Sequence, residues 1–256
     1  MSLCYGIVAA LTDRTVVVTG GSSGIGRAIA VRCAAEGANV LAVGRDEDAL
    51  TETAAAGGGR ITTHRADLAD PGAPEAVVGH AVKDFGGIDG LVHAAGTVRR
   101  AEDFRETEDA WLDGFIEVNL TAGMRIAREA LRHMLDAGSG SIVLVGSQLA
   151  HVAQPGYASY AATKGGITAF ARALAVDAGP QGVRVNVLVP GVVTTPLAYV
   201  DRPGWDELAP QVAERLPLRR VGTPEDMAGP AVFLLSDDSA WMTGQTLIVD
   251  GGFTIQ

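Results

Sequence analysis

Short apolar segments alternate with longer helical ones along most of the chain. The apolar segments are rich in β-branched residues and end at glycine or polar residues, a pattern typical of strands. They predict seven strands, at residues 15–19, 40–43, 61–65, 91–93, 141–145, 184–188 and 246–249. Between them, residues of helical character predict five helices, at residues 27–36, 47–55, 75–85, 108–136 and 157–178.

The predicted strands are apolar throughout instead of alternating between apolar and polar residues. Such strands are expected where helices cover both faces of a sheet. Strand and helix alternate along the chain, which favours parallel pairing with crossover helices. We therefore predict an α/β fold: one doubly wound parallel sheet of about seven strands with helices on both faces. No linker or repeat divides the 256 residues, so residues 1–256 are expected to form a single domain.

One stretch interrupts this alternation. Residues 194–217, called the lid segment below, contain four prolines together with Tyr199 and Trp205. A long insertion of this kind between two strands is more often functional than idle. We expect the lid segment to cover a substrate site.

Composition narrows the class of protein. Asp and Glu number 30 against 20 Lys and Arg, a net charge of -10 that argues against binding to nucleic acid or an anionic membrane. No apolar run reaches the roughly 18 residues of a membrane span. Cys4 and Cys33 fit neither a disulfide framework nor a metal site, which predicts a reducing, cytoplasmic environment and no metal.

A glycine-rich loop follows the first predicted strand and opens a helix. Glycines at this place allow a tight turn and let the backbone approach a pyrophosphate, which binds the free N–H groups of the helix N-terminus. The loop therefore predicts a Rossmann-type site for a dinucleotide. Its candidate residues are Gly20, Ser22, Ser23, Gly24, Ile25 and Gly26.

The end of the second strand bears on the choice of dinucleotide. Folds that bind NAD usually place an acidic residue there, whereas this chain has Gly44 followed by Arg45. A guanidinium can bind a 2′-phosphate through two parallel hydrogen bonds, which favours NADP(H) over NAD(H). Two alternatives stay open: Asp46 turns back to the ribose or pairs with Arg45, or Arg45 is an ordinary solvated arginine.

Tyr160 and Lys164 are four residues apart, and the chain has only two lysines. On a helix this spacing places both side chains on one face. A tyrosine hydroxyl has a pKa of about 10, and a nearby ammonium group lowers it toward the range useful for proton transfer. Ser147 follows the fifth strand, where sites gather in parallel sheets, and its hydroxyl is placed to hold a substrate carbonyl.

The sequence resembles the short-chain dehydrogenase/reductase family over nearly its whole length. The motifs that carry the resemblance are Thr19-Gly20-xxx-Gly24-Ile25-Gly26, Asp67-Leu68, Ala94-Ala95-Gly96, Asn119, Ser147, Tyr160-xxx-Lys164 and Pro190-Gly191. The resemblance implies that Tyr160 is the acid and base, that Lys164 lowers its pKa and binds the nicotinamide ribose, and that Ser147 orients the substrate oxygen. It also implies that Asn119 helps a water relay protons to Lys164.

The same resemblance implies further cofactor contacts. Asp67 would meet the adenine amino group, and residues 190–195 would meet the nicotinamide carboxamide. The implied set is Asp67, Leu68, Ala94, Ala95, Gly96, Tyr160, Lys164, Pro190, Gly191, Val193 and Thr195. One departure is His93, which stands where the family usually has asparagine, and we assign it a structural role.

The substrate pocket is expected between the serine and the tyrosine and under the lid segment. Its candidate residues are Ser147, Gln148, His151, Gln154, Tyr157, Leu197, Tyr199 and Trp205. No basic cluster faces this region, because Arg99, Arg100 and Arg202 are expected at the surface. A small, neutral ketone or secondary alcohol is therefore the expected substrate.

Alternative functions stay open. One is an NAD-dependent sugar, cyclitol or alcohol dehydrogenase, and another is a 3-oxoacyl-carrier-protein reductase, for which Arg99 and Arg100 would form a docking patch. A dinucleotide-binding protein without catalysis is disfavoured, because the residues of the implied catalytic set are all present. The resemblance also implies a homotetramer or homodimer, with interfaces on the helices at 108–136 and 157–178 and on residues 249–256.

Overall fold

The seven predicted strands are present and form one parallel sheet. The computed structural model describes residues 9–101 and 103–256; Cys4 lies outside them. The strands are β1 (Thr15–Thr19), β2 (Asn39–Gly44), β3 (Ile61–Arg65), β4 (Gly90–His93), β5 (Gly140–Val145), β6 (Val183–Pro190) and β7 (Thr246–Val249). Their order is β3-β2-β1-β4-β5-β6-β7, all parallel, so the predicted doubly wound sheet is confirmed.

Helices cover both faces of the sheet. They are α1 (Gly24–Ala35), α2 (Glu47–Ala56), α3 (Ala73–Phe85), α4 (Asp109–Ile116), α5 (Ala122–Ala137), α6 (Ala158–Ala178), α7 (Pro196–Asp201), α8 (Trp205–Ala213) and α9 (Pro224–Leu235). The stretch at 108–136 was predicted as one helix. It contains α4, a π-helical turn at Glu117–Thr121, and α5.

The three helices after β6 were not predicted. Prolines interrupt the helical pattern of this region of the sequence. Helices α7 and α9 begin at Pro196 and Pro224, and Pro210 and Pro230 lie inside α8 and α9. Proline is tolerated in the first turn of a helix, where its missing N–H has no partner to lose. The capping box of Thr223 and Asp226 at the start of α9 was an available signal.

Each strand divides its side chains between two apolar cores. Val16 and Val18 of β1 point to one face and pack with α1 and α9, whereas Val17 points to the other face, where α3, α5 and α6 lie. Because both faces are covered, every residue of β1 is buried. Burying a valine side chain stabilises the fold by about 1.5–3 kcal/mol. Because side chains on both faces of the strand gain this stabilisation, the strands are apolar throughout and do not alternate with polar residues.

The strand order reverses between β1 and β4, and this reversal positions the site. β1 is paired with β2 on one side and β4 on the other, so the crossover helices leave the carboxyl ends of these strands in opposite directions. A crevice opens at such a point, and ligands of open α/β sheets bind there. Among the described residues, no helix is long and apolar enough to cross a membrane.

Candidate active site

The glycine-rich loop forms a tight turn between β1 and α1. Gly20 and Gly24 have positive φ angles of 69° and 52°, which few residues other than glycine adopt. A Cβ at Gly26 would lie 2.2 Å from the carbonyl oxygen of Gly20, so only glycine fits there. The Ser23 side chain does not cap α1, and no acidic residue stands in its first turn. The N–H groups at the start of α1 are thus available to an anion.

A cavity of about 170 Å³ lies beside this turn, at the carboxyl ends of β4, β5 and β6. It brings together residues that are far apart in the sequence. The predicted site residues that line it are Ile25, Ala94, Gly96, Ser147, Gln148, Tyr157, Tyr160, Lys164, Pro190, Gly191, Val193, Thr195, Leu197 and Trp205. The lid segment covers the cavity with α7 and the start of α8.

Three of the predicted catalytic residues share this cavity. Ser147 follows β5, and Tyr160 and Lys164 lie in the first two turns of α6. The Lys164 ammonium is buried and donates a hydrogen bond to the Val145 carbonyl at 2.9 Å, with its Nζ atom 5.8 Å from the centre of the Tyr160 ring. The Ser147 hydroxyl accepts from the Leu149 N–H at 3.2 Å.

Burial has the largest influence on the protonation of Tyr160 and Lys164. Burial raises the pKa of Tyr160 to about 12, and the hydrogen bond with Ser147 opposes the rise. Burial lowers the pKa of Lys164 to about 8. The phenol is therefore protonated at neutral pH in this arrangement, with burial as the largest influence on its pKa.

Asn119 lies behind the cavity in the π-helical turn. Its Oδ1 accepts from the Thr97 N–H at 2.8 Å, and among the described residues its buried Nδ2 has no hydrogen-bond partner. A Cβ at Gly96 would lie 2.9 Å from Asn119 Oδ1 and 3.6 Å from Lys164 Nζ. Asn119 and Lys164 belong to different helical segments, but both of their side chains lie next to Gly96.

His93 is buried at the end of β4. Its Nδ1 lies 2.9 Å from the Thr19 hydroxyl, which also accepts from the Ala95 N–H. The contact joins β1 to β4 at the point where the strand order reverses. Burial, aided by the positive charge of Lys164, lowers the pKa of His93 to about 3, so the imidazole is neutral. It does not line the cavity, in agreement with a structural role.

The end of β2 carries the residues that bear on cofactor choice. A Cβ at Gly44 would lie 2.9 Å from the Ser22 side chain, so a glycine is required there. The Asp46 carboxylate caps α2 by accepting from the Ala49 N–H at 3.0 Å. Arg45 is exposed, with its Nη1 at 3.7 Å from Asp67 Oδ2. Asp46 is thus engaged in capping, and the guanidinium stands at the edge of the dinucleotide crevice.

Some predicted substrate residues lie off the cavity. His151 is exposed, and Tyr199 is exposed with its hydroxyl donating to Asp206 Oδ1 at 2.8 Å. Gln154 is not among the lining residues, but its Oε1 lies 3.4 Å from Nη2 of Arg202, which does line the cavity. Leu68 is buried and Asp67 accepts from the Ala69 N–H.

Two charged residues of the wall were missed. Asp201 and Arg202 both line the cavity, whereas Arg202 was expected at the surface. The available signal was an adjacent acid and base at the end of an otherwise apolar stretch of the lid segment. Arg202 is held inward because its guanidinium lies 5.9 Å from the ring centres of both Tyr157 and Trp205.

The residues present fit a nicotinamide dinucleotide. The free N–H groups of α1 suit a pyrophosphate, and the cradle between Gly20 and Gly26 leaves no room for a Cβ. Within the described residues there is no cluster of side chains that would hold a metal ion. The fold and the site together define the class, an α/β oxidoreductase that binds a nicotinamide dinucleotide.

Comparison with known proteins supports this class of oxidoreductase. A family model described as Enoyl-(Acyl carrier protein) reductase matches residues 20–254. The chain is 38% identical to a 3-oxoacyl-[acyl-carrier-protein] reductase of Chlamydia pneumoniae over 95% of this chain and 98% of that protein. It is 36% identical to a D-threitol dehydrogenase of Mycolicibacterium smegmatis, over 96% and 95%.

A solved structure is similar as well. It is described as an NAD(P)-dependent gluconate 5-dehydrogenase from Beutenbergia cavernae with bound NADP, and it is 40% identical with a TM-score of 0.90, covering 97% of this chain and 100% of that one. The chain belongs to the short-chain dehydrogenase/reductase family, and it is an oxidoreductase acting on CH–OH and C=O groups.

Proposed function

We propose that this protein interconverts a ketone and a secondary alcohol of a small, neutral molecule with NADP(H), using Tyr160 as general acid and base. The observation that carries the proposal is the meeting of Ser147, Tyr160 and Lys164 in one cavity beside the phosphate-binding turn. Ser147 follows β5, whereas Tyr160 and Lys164 lie in α6.

In the direction of reduction, Tyr160 donates a proton to the substrate oxygen. The phenol is protonated at neutral pH, so it carries the proton that reduction requires. Ser147 holds the carbonyl oxygen beside the phenol, so the proton has a short path. A bound nicotinamide would supply the hydride to the carbonyl carbon and accept it in the reverse reaction.

Lys164 and Asn119 complete the proton path in this proposal. The lysine ammonium is fixed by the Val145 carbonyl, and its lowered pKa of about 8 makes it an effective proton donor near neutral pH. Asn119 Nδ2, which has no hydrogen-bond partner among the described residues, would hold a water that connects Lys164 to solvent.

Arg45 supports NADP(H) as the preferred cofactor. Gly44 offers no carboxylate to a ribose 2′-hydroxyl, and Asp46 is engaged in capping α2. Arg45 is exposed, and its contact with Asp67 at 3.7 Å leaves the guanidinium free to bind a 2′-phosphate. The residues that would hold the adenosine side of NADP(H) are therefore Arg45 and Asp67.

A second candidate is a reductase of 3-oxoacyl thioesters. Arg99 and Arg100 are exposed, and a Cβ at Gly156 would lie 2.5 Å from Arg100 Cγ, so Arg100 packs against the loop that leads to α6. In this candidate, the two arginines would contact an acidic carrier protein. Reduction of a 3-oxoacyl thioester that is lost on Arg99→Glu and Arg100→Glu would favour this candidate.

Replacing the tyrosine and the lysine tests the proposed mechanism. We expect Tyr160→Phe and Lys164→Met to lower kcat on a responsive ketone by about 100-fold or more, because the proton donor or its proton supply is lost. Dinucleotide binding is expected to persist in Tyr160→Phe. Absorbance of NADPH reports turnover, and fluorescence titration reports binding.

Lys83 offers a matched control, since it is the other lysine of the chain and lies at the end of α3. Lys83→Met is expected to keep full activity. Full activity of Tyr160→Phe would contradict the role assigned to the phenol.

A further inference from the structure

The cavity wall contains a buried carboxylate that the proposed chemistry does not use. Asp201 is the last residue of α7, its side chain is 6% exposed, and it lines the same cavity as Ser147 and Tyr160. A negative charge is electrostatically unfavourable at a helix C-terminus. Its presence there calls for an explanation other than the stability of α7.

The contacts of Asp201 fix one of its oxygens and leave the other without a partner. Oδ2 accepts from the Tyr157 hydroxyl at 2.6 Å and lies 3.4 Å from Arg202 Nε. Oδ1 is buried and has no hydrogen-bond partner in the described part of the chain. Because buried polar atoms are nearly always paired, this atom indicates a donor that comes from a ligand.

Gln148 presents a second polar group of the same kind. It follows Ser147 directly, is 4% exposed, and lines the cavity. Its Oε1 also has no partner among the residues that the structure describes. The wall around Ser147 and Tyr160 thus holds two further buried groups, Asp201 and Gln148, each able to bind a hydroxyl.

The charge of Asp201 is already balanced. Arg202 pairs with its carboxylate, and the guanidinium is itself held between the rings of Tyr157 and Trp205. A cationic ligand would be repelled by this arginine as much as it is attracted by the acid. A neutral hydroxyl donates to the free oxygen without adding charge to the cavity.

We propose that Asp201 accepts a hydrogen bond from a second hydroxyl of the substrate, one that does not react, and that the Gln148 amide binds a further one. The substrate class is then a diol or polyol and the corresponding hydroxyketone. This inference rests on the proposed function and narrows its substrate.

Paired alcohols that differ by one hydroxyl test the inference. We would measure kcat/KM with NADP+ for cyclohexanol against 1,2-cyclohexanediol, and for 2-butanol against 2,3-butanediol. The wild-type protein is expected to prefer the diols by about 10- to 100-fold, the size expected for a hydrogen bond to a charged acceptor. Asp201→Ala is expected to abolish the preference, and Asp201→Asn to retain a smaller one, since its bond is neutral.

The lid segment offers a matched control. Asp206→Asn removes another carboxylate that pairs with a tyrosine, on the exposed side, and is expected to keep the preference. A variant that had merely lost its structure would lose activity on diols and mono-alcohols alike, whereas loss of the contact changes their ratio.

The possible results distinguish a failure of this inference from a failure of the proposed function. Equal rates on diols and mono-alcohols, or an unchanged preference in Asp201→Ala, would overturn the inference and leave the proposed function standing. A preference for 2-aminocyclohexanol over the diol would overturn the assignment to a hydroxyl. No turnover of any alcohol or ketone tried would overturn both.

Discussion

At the end of β2, single residues carry the proposed choice between NADP(H) and NAD(H). Gly44 is required because Ser22 of the phosphate-binding turn lies against it. The next residue, Arg45, takes the place from which a side chain reaches the ribose, and Asp46 is withdrawn into the cap of α2. In the function that we propose, cofactor preference depends on the functional group at position 45.

We expect Arg45→Asp to lower the affinity for NADPH by at least about 10-fold, because a bidentate, charge-assisted contact to phosphate is replaced by repulsion. The affinity for NADH is expected to change less or to rise. Titration of the protein with both cofactors measures the ratio of the two dissociation constants. An unchanged ratio would remove the basis for the NADP(H) preference.

His93 is a second residue whose effect follows from its surroundings. It is neutral and buried in the fold, with a pKa of about 3 against 6.5 ordinarily, so the unfolded chain binds more protons between these values. Stability is therefore expected to fall as the pH drops from about 6.5 toward 3, with a contribution from this residue of up to about 1.4 kcal/mol per pH unit.

The variant His93→Asn removes this titration. We expect its unfolding free energy to depend less on pH than that of the wild type between pH 5 and 6.5, as measured by urea denaturation. Groups that titrate equally in both proteins cancel in the comparison. Identical slopes would mean that the imidazole is protonated in the folded state.

At the scale of elements, the turn between β1 and α1 depends on the absence of side chains. We expect Gly26→Ala to abolish dinucleotide binding, because its Cβ would overlap the Gly20 carbonyl oxygen and move the N–H groups that face the phosphates. Titration with NADPH measures the loss.

Gly79 provides the control for this change. It lies in α3, where a Cβ would meet no atom of the residues that the structure describes within 4 Å. Gly79→Ala is expected to bind the cofactor normally and to raise the free energy of unfolding by about 1 kcal/mol, the cost of glycine within a helix. Equal cofactor affinity in both variants would show that the turn tolerates a side chain.

The π-helical turn at Glu117–Thr121 is a further element with a local effect. It lies between α4 and α5 and directs Asn119 toward Gly96 and Thr97, where a continuous α-helix would shift the register of the residues that follow. Such turns often occur at functional sites. Helical periodicity extends across residues 108–136, so the sequence pattern contains no signal for the turn.

At the scale of the whole molecule, we predict a homotetramer. Val176 on α6 and Ile255 near the C-terminus are 75% and 86% exposed, and they lie on the segments that the family resemblance assigns to interfaces. Sedimentation velocity is expected to give four times the chain mass of 26.3 kDa, and Ile255→Asp to reduce the assembly. A monomer at micromolar concentration would contradict the prediction.

The sequence by itself determined the sheet, its two-sided burial and the phosphate-binding turn. These features depend on local patterns, since apolar runs, glycine spacing and helix starts are written in neighbouring residues. The pairing of Tyr160 with Lys164 belongs to the same group, because four residues on a helix fix their common face.

Only the tertiary structure decided which side chains share the cavity. Tyr199 was expected to line the cavity, but it lies outside and its hydroxyl donates a hydrogen bond to Asp206. Arg202 was expected at the surface, but it lines the cavity and its guanidinium contacts the rings of Tyr157 and Trp205. Asp201 Oδ1 has no hydrogen-bond partner within the described ranges, and the pKa of Tyr160 is raised; both features depend on burial and on residues distant in sequence. These contacts arise from packing between elements that are distant in sequence, so the spacing of residues along the chain does not predict them.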